Sequence, residues 1–203
     1  MQDTSSASLL FATPVIADRL EDPALDAALE QAILARRDAD SGHGALRPRS
    51  WRSDNGFLSW GGEAAARLVA HALEIANART IIKEDRLEAD YHWGAQAWAN
   101  VAEPGAGSAA ELYPDSYWSA IYCVRADAGT GGELVLHDPR SPMMEMNAPH
   151  LWYADGGIQR EALIAIPAGA LILFPSWLRR AVRPWEGEGL RIWIAMNLSV
   201  TAA

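Results

Sequence analysis

The stretch from residue 167 to residue 184 is predicted to place one basic side chain at a possible functional site. An apolar strand over residues 170–174 ends at a Pro175–Ser176 corner, because proline cannot donate to a sheet ladder. A sheet that reverses in this way can hold one side chain over the mouth of a barrel just after the corner. That side chain is Arg179 or Arg180, and a guanidinium offers no lone pair to a metal ion.

A second arginine, Arg191, opens the last apolar stretch of the chain. With a period of two, it shares one face of a strand with Trp193, Ala195 and Asn197. An arginine on the inner face of an apolar sheet needs an anionic partner, because burying it unpaired is costly. A carboxylate suits its forked geometry. The pattern leaves two partners open, a ligand carboxylate or an Asp or Glu of this chain.

Histidine and cysteine give little indication of a metal centre. The chain has five histidines and a single cysteine, Cys123. No histidine has H-x-H or H-x-D spacing, and His137 and Asp138 are adjacent, so in a strand they point to opposite faces. The histidines are interpreted as isolated structural or surface residues. A single cysteine excludes an intrachain disulfide and disfavours a thiolate zinc site.

The pattern of the sequence predicts helices in the first part of the chain and strands in the second part, which holds both arginines. Asp22 and Pro23 begin a helix that runs to about Arg37, and a second helix spans residues 62–79. Residues 51–56 are typical of a turn, and from Leu87 the hydrophobic period changes to two. Two helices followed by many short strands favour a sheet-rich barrel or sandwich with the helices packed outside. Strands are predicted at 87–101, with a break near Gly94, and at 117–125, 133–137, 161–166, 170–174 and 190–200. Residues 9–16 are predicted to form either a first strand or an extended arm.

Four blocks of sequence resemble one enzyme family. They are residues 98–101, residues 111–114 with 119–122, residues 132–140, and residues 167–184 with 190–197. In order and spacing they resemble the 2-oxoglutarate/iron(II) oxygenases, specifically a small bacterial and phage family. There the last block reads G-x-L-x-x-F-P-S-W-L-x-H-x-V-x-P and then R-I-S-x-x-F-N. The resemblance implies a mainly β chain with flanking helices, built on a double-stranded β-helix, which is a jelly-roll, cupin-like core.

The resemblance also implies a division of the chain and a site. Residues 87–203 form the core, and residues 1–86 form an N-terminal arm and two helices, in a single domain. The family's iron ligands fall at Glu111, Tyr113 and Arg180. An arginine at the position of Arg191 holds the far carboxylate of 2-oxoglutarate in that family. The implied cofactor-binding set is Arg191, Tyr122, Asn100 and Trp98.

The implied metal ligands depart from what iron(II) needs, which is a facial set of histidine and carboxylate groups. Glu111 could bind a metal, Tyr113 could do so only as a phenolate, and Arg180 could not. The sequence therefore predicts a degenerate iron site, with no confident metal ligand and no assigned catalytic residue. Fe(II) and 2-oxoglutarate are the cofactors that the family implies.

Composition restricts the class of partner. The chain has 203 residues and a formal net charge of −9, which argues against nucleic acid and anionic membranes as partners. The N-terminus lacks the pattern of a signal peptide, and the longest apolar stretch is too short to span a bilayer. We expect a cytoplasmic protein. The partner is a small-molecule or protein substrate of unknown identity, and a homodimer is left open.

Three functions are compatible with these patterns. The first is a 2-oxoglutarate-dependent oxygenase with a rearranged metal site. The second is a catalytically inactive jelly-roll protein that binds a small anionic or carboxylate ligand, which the missing histidines favour. The third, a sugar-binding or cupin-like isomerase module, rests on fold analogy and on the nine tryptophans. Whether the protein is an enzyme stays open at this level.

Overall fold

Two antiparallel β-sheets and a pair of long helices make up the structure, a computed structural model that describes residues 10–43, 49–82, 91–154 and 160–202. The helices are α1 (Pro23–Ala39), α2 (Phe57–Trp60), α3 (Gly62–Ala78) and α4 (Ser141–Met144). The strands are β1 (Ile16–Arg19), β2 (Ser50–Arg52), β3 (Tyr91–Ala102), β4 (Ser108–Glu111), β5 (Trp118–Ala126), β6 (Leu134–His137), β7 (Glu161–Ile164), β8 (Ala170–Pro175), β9 (Arg179–Val182) and β10 (Arg191–Ala202). None of the helices in the described residues is long and apolar enough to cross a membrane.

The sheet topology is that of a double-stranded β-helix, as predicted. The large sheet has the order β1-β8-β5-β10-β3-β2, and the small sheet has the order β4-β9-β6-β7. From β3 to β10 the chain passes back and forth between the two sheets, so that eight strands enclose one interior. The strands β1 and β2 extend the large sheet at its two edges by pairing with β8 and β3.

Two apolar layers hold this arrangement together. The layer between the sheets includes Ile121, Leu134, Phe174 and Trp193. The layer on the other side of the large sheet packs α1 and α3 against it, as predicted for helices outside the barrel. Burial of both layers is the main stabilising contribution, because removal of apolar area from water drives folding.

Polar contacts fix α1 on the large sheet. Asp22 caps the helix by accepting a hydrogen bond from the backbone N–H of Leu25 at 2.9 Å. Arg125 on β5 donates to Glu30 at 2.7 Å and also pairs with Asp127. These contacts tie the helix to the strand that runs through the middle of the sheet.

The direction of the strands defines one open end of the barrel, called the mouth below. Both β4 and β6 are antiparallel to β9, so they end at the edge of the small sheet where β9 begins. On the inner face of this sheet, Glu111, Arg180, Leu136 and Ala162 form one row across β4, β9, β6 and β7. The mouth therefore gathers the segments that the sequence singled out.

Several predicted boundaries are corrected by the structure. Residues 9–16 were predicted as a first strand or an extended arm, and the strand itself lies at Ile16–Arg19, where it pairs with β8. The strand β3 runs through Gly94 without the predicted break. Trp51 and Arg52 belong to a strand rather than a turn, because β2 pairs with β3. Of the strand predicted from Leu87, residues 87–90 lie outside the described residues, as does residue 9.

Candidate functional site

The structure brings together the three residues at the family's iron-ligand positions. Glu111 and Arg180 face each other across the β4–β9 pair, and Arg180 Nη2 lies 3.9 Å from Glu111 Oε2. The Tyr113 hydroxyl donates a 2.6 Å hydrogen bond to the same Glu111 oxygen. The side chain of Arg180 is only 4% exposed, against 27% for Glu111. The cluster thus holds a buried cation and a carboxylate that accepts a hydrogen bond from Tyr113 and forms an ion pair with Arg180.

Aromatic rings surround the Arg180 guanidinium. Its central carbon lies 5.1 Å from the ring centre of Tyr113 and 5.8 Å from that of Trp98. The two rings are 5.4 Å apart, centre to centre. Arg52 of β2 lies 4.7 Å from the centre of the Trp98 ring. Cation–π attraction in such surroundings stabilises a guanidinium that has left water.

The Tyr113 hydroxyl keeps its proton at neutral pH. Burial raises the pKa of Tyr113 above its ordinary value of 10.0, and the hydrogen bond to Glu111 raises it further, while the charge of Arg180 acts in the opposite sense. A phenol that donates to a carboxylate is bound in its neutral form. Tyr113 is therefore poorly suited to bind a metal as a phenolate.

The chemistry of this donor set does not fit an iron(II) centre. A guanidinium has no lone pair to give and repels a cation, and a protonated phenol is a poor ligand. Among the described residues, no group of three or more His, Cys, Asp and Glu side chains could hold a metal ion. No reaction step through iron is therefore derived from these three side chains.

The five histidines all lie within the described residues, and none belongs to the cluster. His71 bonds to Asp18 at 2.6 Å, and His137 lies 3.7 Å from Glu161 on the outer face of the small sheet. Cys123 is buried between the sheets, and burial raises the pKa of its thiol to about 11. Its sulfur is a neutral, packed group and not a thiolate.

Arg191 is buried near the other end of the interior, with 4% of its surface exposed. Its Nη2 donates to the backbone oxygen of Ile166 at 2.8 Å, and its guanidinium lies 5.4 Å from the centre of the Trp185 ring. Gly132 packs directly against it. No carboxylate of the residues that the structure describes forms an ion pair with Arg191, so the ligand alternative raised by the sequence remains.

The other predicted cofactor positions divide between the two faces of the large sheet. Trp98 and Asn100 alternate with Ala97 and Ala99, which face the helices, so both point into the interior. Asn100 is buried, and its Nδ2 has no hydrogen-bond partner in the described part of the chain. An amide donor of this kind can bind an acceptor on a ligand. Both residues stay candidates for ligand contact.

Tyr122 has to be removed from the predicted cofactor-binding set. Its neighbours on β5, Ile121 and Cys123, face the interior, so the Tyr122 ring points to the helices. Its hydroxyl donates to Asp26 of α1 at 2.5 Å. The physical reason is strand alternation: a shift by one residue moves a side chain to the opposite face. Tyr122 holds α1 on the sheet.

Sequence reasoning did not identify Arg52 as part of the site. The residue stands in a short segment with turn composition, without strand periodicity. Only the register of β2 against β3 places Arg52 opposite Asn100 and beside Trp98. The one signal in the sequence was its position directly after Trp51 in a segment rich in polar residues.

A double-mutant cycle tests the pairing of Glu111 with Arg180. We expect Glu111→Ala and Arg180→Ala each to lower the free energy of unfolding by about 1–3 kcal/mol, because each leaves a partner charge with poorer compensation. The double variant should cost about 1 kcal/mol less than the sum of the two. Urea unfolding of the four proteins gives the coupling, with Leu112→Ala as an exposed control. Strict additivity would show that the two side chains do not interact.

The fold and the site define the class of the protein. The double-stranded β-helix is the fold that the resemblance to the 2-oxoglutarate-dependent oxygenases implies, and the cluster at the end of β4 and the start of β9 stands at the positions that this resemblance gives to the iron ligands. Residues 96–197, half of the chain, match the family described as "Putative 2OG-Fe(II) oxygenase". The chain belongs to this family, as its sequence blocks indicated. No curated protein matches the sequence.

Solved structures of several oxygenases share the fold. A prolyl-4-hydroxylase of Pseudomonas putida has a TM-score of 0.59 and 19% identity, with 94% of each chain covered. A prolyl hydroxylase of Trichoplax adhaerens, in complex with a hypoxia inducible factor peptide fragment, has a TM-score of 0.59 and 15% identity, covering 92% of this chain and 82% of that one. HygX of Streptomyces hygroscopicus, with nickel, 2-oxoglutarate and hygromycin B bound, has a TM-score of 0.60 and 12% identity, covering 92% and 83%. At these identities the likeness concerns the fold.

Proposed function

We propose that this family member binds a small carboxylate ligand inside its barrel and does not carry out iron-dependent hydroxylation. The observation that carries the proposal is the buried guanidinium of Arg180, in register opposite Glu111, at the family position of the third iron ligand. In the family, dioxygen is the oxidant, and iron together with 2-oxoglutarate would supply its activation. Here a fixed positive charge from the protein stands where the cation would be.

The loss of iron binding is supported by the contacts of Glu111. Its carboxylate is the one side chain of the three that suits a metal, and it accepts from Tyr113 and pairs with Arg180. A metal ion would have to displace both partners and stand beside a guanidinium that cannot lose its proton. Arg180 instead joins β4 to β9, a structural task that bound iron performs where it is present.

Carboxylate binding is supported by Arg191. The guanidinium is buried, one backbone oxygen accepts from it, and within the described residues it has no carboxylate partner. Burial of a charge without an anion is costly, so a ligand carboxylate would offset that cost. Trp193, two residues along the same face, occupies the position where the family pattern has serine, and it is buried in the interior. The bulk of this indole favours a short ligand such as succinate or 2-oxoglutarate itself.

The competing function is an oxygenase with a rearranged metal site, which family membership supports. The two functions differ in turnover. We expect no succinate from 2-oxoglutarate above the level without protein, when Fe(II) and ascorbate are supplied in the presence of oxygen. Arg180→His alone should not restore turnover, since Tyr113 still departs from the family pattern. Succinate formation by the wild type, abolished by Glu111→Ala, would contradict the proposal.

A further inference from the structure

A cavity of about 670 Å³ opens at the mouth of the barrel, on the side of β6 and β7. One wall is the segment of residues 10–15, called the arm here, which continues from β1 across the end of β8. The opposite walls come from the end of β6 with the following turn, the start of β7, and Trp177 with Leu178 at the β8–β9 corner. The volume lies within the range of pockets that bind small molecules.

The one permanent cation among the described side chains that line this cavity is already paired. Arg140 donates two hydrogen bonds to Asp138, at 3.0 and 2.8 Å, and these hydrogen bonds hold the pKa of Asp138 below its ordinary value. His137 and Glu161 lie 3.7 Å apart. His137 carries a charge only when protonated, so the described lining of the cavity offers no free positive charge to an anionic ligand. This disfavours an anion, which would lose hydration without gaining a partner, and the apolar walls favour an uncharged molecule.

The remaining walls are apolar and unusually accessible. Leu10, Phe11 and Val15 of the arm are exposed, and Trp177 is 51% exposed at the opposite rim. The floor is formed by Leu136 and Ala162, which face the interior of the barrel. Exposed apolar groups that converge on one concavity are typical of a binding site. An indole at the rim offers a flat face on which a planar ligand can stack.

We propose that this mouth pocket binds an uncharged, largely apolar, planar small molecule, which stacks on Trp177 and is enclosed by the arm. The site is separate from Arg191, and the proposal does not rest on carboxylate binding or on iron chemistry. A concave floor below two walls suits a small molecule better than a second copy of the chain, which requires a broad surface.

Binding of the neutral dye Nile red to the metal-free protein tests the proposal. We expect a saturable rise and blue shift of its fluorescence with one dye per chain. Trp177→Ala should weaken this binding about tenfold, since loss of a stacked aromatic contact is worth about 1 kcal/mol or more. Leu163→Ala is the matched control, because Leu163 is also 51% exposed but lies on the outer face of β7, away from the pocket. It should leave the affinity unchanged.

Competition experiments test the chemical class. The neutral compound 2-naphthol should displace the dye, whereas the anion 2-naphthalenesulfonate should compete at least about tenfold more weakly, because the described lining of the pocket has no free cation to pair with it. Equal loss of dye binding in both alanine variants would overturn the proposed site. Preference for the sulfonate would overturn the proposed ligand class. A dimer seen by light scattering and abolished by Trp177→Ala would show that a second copy, rather than a small molecule, occupies the pocket.

Discussion

Replacement of Arg191 by methionine should weaken the binding of succinate and 2-oxoglutarate at least about 100-fold, because two charge-assisted hydrogen bonds of about 1.5–3 kcal/mol each are lost. Methionine keeps much of the length and apolar volume of the side chain without its charge. Arg191→Lys retains a charge but not the fork, so an intermediate affinity is expected. Isothermal titration calorimetry of the three proteins measures the effect.

Stability distinguishes a ligand-binding role of Arg191 from a structural one. If the guanidinium awaits a ligand, the ligand-free Arg191→Met protein should unfold within about 1 kcal/mol of the wild type, since a buried charge with incomplete compensation contributes little. The thermal shift caused by succinate should vanish in the same variant. Arg183→Met, at an exposed arginine near Glu133, is the control and should keep the shift. Arg191 would have a structural role if Arg191→Met greatly lowered the free energy of unfolding and if succinate caused no thermal shift in the wild type.

Gly132→Ala should lower the free energy of unfolding by about 3 kcal/mol. Alanine would have to adopt a left-handed backbone conformation, and its methyl group would overpack the site. Gly132 has φ of +71°, and an added Cβ would lie 2.7 Å from Nε of Arg191. The methyl group would therefore push the guanidinium out of its position. The same variant should lose carboxylate binding, because a displaced Arg191 no longer presents its fork to the interior.

Two controls separate the contributions of backbone strain and of the clash with Arg191 to the loss of stability in Gly132→Ala. Gly62 has a similar φ of +66° with nothing within 4 Å of an added Cβ, so Gly62→Ala should cost only about 1 kcal/mol of backbone strain. In an Arg191→Ala background the clash is gone, and Gly132→Ala should then cost about as much as Gly62→Ala. Chemical denaturation of the parent proteins and the variants provides the three costs. A Gly132→Ala cost equal to that of Gly62→Ala in the wild type would show that Arg191 tolerates the methyl group.

The strand pattern was sufficient to predict the inner face of β10. Residues that alternate with a period of two must point to alternate faces, so Arg191, Trp193 and Asn197 were placed together before any contact was known. The blocks of family resemblance likewise predicted the topology, because their order fixes which strands bear which motif. Both predictions rest on local rules that hold along one strand.

Contacts between distant segments were less accessible from the sequence. Arg52 reaches Trp98 only because β2 adds to the edge of the large sheet, and a three-residue strand has too few side chains to show a period. The contacts of the arm were equally inaccessible, because the arm forms a pocket wall only through its position beside β8 in the folded chain. Tyr122 was assigned to the wrong face because a motif match does not reveal which side of a strand is buried against helices.

The barrel is proposed to bind a carboxylate ligand without iron. Titration of 2-oxoglutarate into protein kept in a chelator, and into the same protein supplied anaerobically with equimolar Fe(II), tests this proposal most directly. We expect one binding site in both samples, with affinities that agree within about twofold, or about 0.4 kcal/mol. Binding that appears only with Fe(II), together with one tightly held iron per chain that Glu111→Ala removes, would contradict it.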